Sequence, residues 1–116
     1  MGMLEELKDL GVNIDEAMKR LNNNEAFYKR MLGSIQSMLE KAPVDPDFDA
    51  NDYQGVIENA HAIKGATGNL SLTPMYKAYT DIVDLLRQDK PEEARKILVD
   101  ILPVQAQILE VINRYK

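Results

Sequence analysis

The sequence predicts an all-α protein: an antiparallel four-helix bundle with short N-terminal helices packed against it. Apolar residues recur at i, i+3/i+4 spacing through four long segments, and short connections join them. No segment sustains the period-two alternation of a half-buried strand. A chain of 116 residues has room for about one ordinary core, so residues 1–116 read as a single domain. Apolar residues at 45% and charged residues at 28% give a chain that folds rather than one that stays disordered.

Taken in order, short helices are expected near Leu4–Leu10 and Ile14–Leu21. Asn13 followed by Glu16 has the spacing of a capping box, in which each side chain answers a free N–H of the first turn. Glu25–Lys41 places Phe27, Tyr28, Met31, Leu32, Ile35, Met38 and Leu39 on one face. Pro43 and Pro46 then mark an acidic loop over Ala42–Asn51, read as a solvated turn. The next helix spans Asp52 to Asn69, with Val56, Ala60, Ile63 and Thr67 inward. Thr73-Pro74 signals a new helix, with Thr as cap and Pro at the first helical position. Met75, Tyr79, Ile82, Val83 and Leu86 form its apolar face. The last helix opens at Pro91-Glu92-Glu93, where acidic residues suit the positive end of the dipole, and continues to Tyr115. Pro103 should kink it, because the ring removes one backbone bond and crowds the preceding turn.

Composition removes most chemistries. There is no cysteine, which excludes disulfides, thiolate catalysis and sulfur-ligated metal, and a single histidine excludes a multi-histidine site. Asp45, Asp47, Asp49 and Asp52 lack the ordered spacing and central glycine of a calcium loop, so no metal is assigned. The net charge of −5 disfavours nucleic acid as a partner. No stretch reaches the roughly 18 apolar residues of a membrane span, and the N-terminus lacks the pattern of a signal peptide. A cytoplasmic location is the default.

The one histidine lies in Ala60-His61-Ala62-Ile63-Lys64-Gly65-Ala66-Thr67-Gly68. On a helix, with Ala60 at the centre of the buried face, His61, Gly65 and Gly68 fall about 100°, 140° and 80° round and form one lengthwise stripe. Glycine in a helix interior costs roughly 0.5–1 kcal/mol against alanine, and here it occurs twice beside one titratable ring. The physical return is clearance for a partner's backbone or for a phosphoryl group. A neutral imidazole is a competent nucleophile near pH 7, and Lys64 at i+3 supplies a cation for a phosphorylated ring. No phosphate-binding loop or kinase signature is present, so metal and catalytic carboxylates must come from a partner. Gly65 and Gly68 are therefore expected at a docking surface, and helix periodicity adds Leu32 and Ile35 to it. Met31, Met38 and Met75 read as core, and Gly33 and Gly55 as sites of close helix packing.

His61, Lys64 and Gly65, followed by the small residues Ala66, Thr67 and Gly68, resemble the His-x-x-Lys-Gly pattern of the histidine-containing phosphotransfer (HPt) domains. These are helical phosphocarriers of multistep two-component relays. Ser71 stands where a glycine is usual in that family, ten positions after the histidine. The likeness extends to the Asn13–Leu21 segment, Asn22-Asn23-Asn24, the Tyr28–Leu39 stripe and the Asp52-Tyr53 entry to the histidine helix.

The resemblance implies that His61 accepts a phosphoryl group from a receiver-domain aspartate and passes it to another, with Lys64 as electrostatic support. It also implies receiver domains of response regulators or hybrid histidine kinases as partners. No cofactor is expected on this chain, Mg2+ being expected on the partner receiver. A monomeric carrier without turnover of its own follows, and the chain's own start and full set of helices favour a free-standing protein. The alternatives are a module phosphorylated by a separate histidine kinase domain, or a non-phosphorylated adaptor that docks on receivers. An enzyme with a cofactor in the bundle core is a poor fit to a chain with one histidine.

Overall fold

The structure, a computed structural model, describes residues 2–115. Among them are six helices and no strand: α1 Met3–Asp9, α2 Ile14–Arg20, α3 Glu25–Lys41, α4 Gln54–Asn69, α5 Thr73–Arg87 and α6 Pro91–Arg114. α5 packs along both α4 and α6, and α3 touches α4 and α6, which closes a ring of four helices. α1 lies on α6, and α2 bridges α1 and α3. The molecule is elongated, 43 × 24 × 22 Å. None of the described helices is long and apolar enough to cross a membrane.

The inward stripes meet in one core. Leu7, Tyr28, Leu32, Ile63, Tyr79 and Leu98 are completely or almost completely buried within it. Tyr28 stays in this interior because its hydroxyl donates to the Leu70 carbonyl at 2.8 Å, and Tyr79 donates to Gln105 at 2.5 Å. A buried polar group without such a partner would cost about 1–3 kcal/mol. Met75 is buried, and Met31 and Met38 are partly buried against the same core.

Local details depart from expectation in instructive ways. α4 starts at Gln54 rather than Asp52, because the Asp52 N–H closes a turn onto the Asp49 carbonyl. Thr73 is the first residue of α5 and not its cap; its hydroxyl donates back to the Ser71 carbonyl at 3.2 Å. α6 is continuous through Pro103. The partner that proline deprives of a donor is the carbonyl of Val99, on an exposed turn where water can replace it. No atom beyond the helix itself comes within 4 Å of a Cβ built on Gly33 or Gly55, so neither mediates close packing.

The acidic loop is more than a solvated turn. Val44 and Phe48 are buried, Arg95 of α6 lies 4.2 Å from the Phe48 ring centre, and it donates to the carbonyls of Phe48 and Pro46. The asparagine run forms the α2–α3 turn: Asn22 and Asn23 adopt φ of 53° and 62°, and Asn24 caps α3 by accepting from the Phe27 N–H. Asparagine tolerates that left-handed region better than most residues.

Candidate functional site

α4 is held by Ala60, Ile63 and Thr67, all buried, and the opposite border of the helix carries the histidine. His61 is exposed, and among the described residues its ring has no hydrogen-bond partner. One turn on, Lys64 is half-buried, and its ammonium has no ion-pair partner among those residues. Gly65 is exposed, and a Cβ built on it meets nothing within 4 Å. The bare backbone at Gly65 therefore serves no internal contact. It leaves the space beside the ring open.

Gly68 behaves differently. A Cβ there would lie 2.8 Å from Cδ1 and Cε1 of Tyr76, so its missing side chain seats a ring of this same protein. Gly68 is thus a packing position first, which corrects its reading as open docking surface. Leu32 and Ile35 are corrected outright. They are 0% and 4% exposed, and their side chains point into the core rather than toward a partner. Periodicity placed them on one stripe with the core residues, and that stripe is the buried one.

An open groove of about 600 Å³ joins these residues. His61, Lys64, Gly65 and Gly68 of α4 form one wall, Tyr76 of α5 another, and Glu16 and Arg20 of α2 the far side. Arg87, near the end of α5, lines a shallow depression on the other flank of His61 with Ile57 and Glu58. His61 thus lines both hollows, one shared with Lys64 and Arg20 and the other with Glu58 and Arg87. Arg20, Tyr76 and Arg87 escaped sequence reasoning, since nothing in their local spacing links them to His61.

Arg20 fixes the end of α4. Its guanidinium donates to the carbonyls of Gly68 at 3.2 Å and Asn69 at 2.5 Å, and to the Ser71 hydroxyl at 3.2 Å. A cation on the last carbonyls of a helix suits the negative end of its dipole. Glu16 completes the knot by accepting from Arg20 at 3.1 Å and from the Ser71 hydroxyl at 2.7 Å. Those bonds, the one from Ser71 foremost, hold the Glu16 carboxyl below its ordinary pKa. Half of the expected capping box is therefore present: Asn13 accepts from the Glu16 N–H at 3.2 Å, but the Asn13 N–H donates to the Ser71 carbonyl. Ser71 itself is buried with φ 57°. The turn keeps the left-handed backbone that glycine adopts freely, and the serine hydroxyl is tied on both sides.

Among the described residues no group of three or more His, Asp or Glu side chains is placed to hold a metal ion. What the groove presents is an accessible nucleophilic ring, a nearby ammonium and a cleared approach. No curated protein and no solved structure gives a significant match to the chain. A family model described as Hpt domain matches residues 3–114, which run from the first residue of α1 to the last of α6. With that span matched and the His61–Gly65 pattern displayed on an open helix face, the chain belongs to the Hpt domain family, the phosphotransfer modules of two-component phosphorelays.

Proposed function

We propose that His61 is the phosphoryl acceptor of a relay carrier that takes phosphate from one receiver-domain aspartate and delivers it to another. The observation that supports this most is the state of His61. It is the one histidine of the chain, it is exposed, and no side chain of the described residues engages it. A structural histidine in a bundle would be buried or bonded.

The chemistry follows from the groove. The lone pair of a neutral ring nitrogen attacks the phosphorus of the receiver's aspartyl phosphate. The P–N bond forms as the P–O bond to the carboxyl breaks; its electron pair returns to the aspartate, and the N-phosphoryl imidazolium gives the one N–H proton left on its other ring nitrogen to solvent. Lys64 stabilises the added charge, which grows as the dianionic group settles on the ring. Arg87 adds a cation from the other flank. Gly65 lets the receiver approach without a side chain in the way. The transfer runs equally in reverse, as a carrier requires, and Mg2+ belongs to the receiver. In this reading residues 1–116 act as one monomeric, cytoplasmic domain, with α3–α6 as an antiparallel four-helix bundle and no turnover of its own.

The test is transfer from receiver domains of the host, charged with acetyl phosphate and Mg2+, to the wild-type chain and to His61→Gln. Acid-labile, alkali-stable label is expected on wild type alone. Label that persists on His61→Gln, or no label from any receiver, refutes the proposal.

A further inference from the structure

Tyr76 sits in the first turn of α5 and faces back over the last turn of α4. At 41% exposure it is among the few large apolar side chains left in solvent. Tyr28 and Tyr79 have their hydroxyls bonded inside the protein, whereas among the described residues the Tyr76 hydroxyl has no partner. Yet the ring is not loose. Gly68 leaves its backbone bare where the ring rests, and any Cβ there would push the ring away. The helix thus accepts glycine near its end to hold an exposed aromatic in place. The ring lies on the wall of the groove that contains His61, Lys64 and Gly65.

We infer that Tyr76 is a specificity-determining contact for the phosphodonor, its ring packing against an apolar patch of the docked receiver beside the aspartyl phosphate. The inference rests on the reading of His61 as acceptor. A tyrosine seated this way offers a large rigid face at little entropic cost, with a free hydroxyl at its edge, and such residues dominate protein interfaces. Because the ring is positioned from α4, the helix that carries the histidine, its place relative to His61 is set before docking.

The experiment uses the full chain and two donors. One is the charged receiver domain that transfers fastest to wild type; the other is phosphoramidate, which needs no docking. Tyr76→Ala should raise the receiver concentration for half-maximal transfer about tenfold, with a much smaller effect on labelling by phosphoramidate. Tyr76→Phe keeps the ring and should stay within a few-fold of wild type. Gly68→Ala, which unseats the ring, should weaken receiver transfer too, and should add nothing in the Tyr76→Ala background. Unchanged receiver transfer in Tyr76→Ala overturns the assignment. So does an equal loss with both donors, which would place the effect on His61 or on folding. Absence of label on wild-type His61 from either donor overturns the acceptor reading and the docking role with it.

Discussion

Gly65 and Gly68 lie three residues apart on α4, and replacing each with alanine should move stability in different directions. At Gly65 the new methyl meets nothing within 4 Å, so only the gain in helix propensity remains. In a helix interior that gain is about 0.8–1.0 kcal/mol. With an unfolding entropy of about 2.1 cal/mol/K per residue, it corresponds to a rise of about 3–4 °C in Tm for a chain of this length. At Gly68 the methyl would stand 2.8 Å from two Tyr76 ring carbons, and the ring must leave its seat. Forcing a side chain off its preferred rotamer costs about 0.5–1.5 kcal/mol, and the propensity gain is smaller one residue from the helix end. Gly68→Ala should therefore melt at or below wild type, about 1 kcal/mol less stable than Gly65→Ala. Far-UV circular dichroism melts and urea titrations of the three proteins measure this directly. A Gly65→Ala protein that melts below wild type, or a Gly68→Ala protein that melts as high as Gly65→Ala, refutes the reasoning. Function gives the counterpart: Gly65→Gln should remain folded while phosphotransfer slows, and an unfolded Gly65→Gln would show that Gly65 is a packing residue after all.

The turn after α4 and the buried tyrosines supply two more predictions. Ser71→Ala loses the hydroxyl bonds to Glu16 and Arg20 but keeps the left-handed backbone, and should cost about 1–2 kcal/mol in urea unfolding. Ser71→Gly loses the same bonds while relieving the backbone, so it should be milder by about 1 kcal/mol; equal losses would show that φ 57° carries no strain. Burial pushes the Tyr79 hydroxyl up to about 12, and burial raises Tyr28 as well. A raised folded-state pKa means the unfolded chain ionises first, so this stability is complete below pH 10 and is lost as pH climbs from about 10 through 12. Tyr79→Phe should accordingly lose less stability than wild type over that window, and an identical alkaline loss would contradict the assignment.

Much of the architecture was legible because helix periodicity is a local signal. α3 was readable as Glu25–Lys41 to the residue, since its apolar period fills that span and Pro43 marks the loop that follows. The α4 start was less legible, because Asp49 and Asp52 form a turn that no apolar period records. The placement of His61, Lys64 and Gly65 beside one another was legible, because they share one helix and therefore one geometry. Leu32 and Ile35 were misplaced for the converse reason. Their exposure depends on how α3 is rotated against α4 and α6, and an apolar stripe looks the same whether it faces the core or a partner. The acidic loop was misjudged because its anchor, Arg95, lies 47 residues from Phe48 in the chain.

The sequence by itself determined an all-helical chain, poor in chemistry, with one histidine on a glycine-marked border of a helix. Those properties follow from composition and from the 3.6-residue period, which act within a segment. Tertiary structure alone decided what surrounds that border. It brought Arg20 onto the end of α4, set Tyr76 on Gly68, and gave the two glycines separate roles, one open to solvent and one filled by a ring. Such contacts join residues on different helices. Their geometry comes from how the helices pack, which no local pattern specifies.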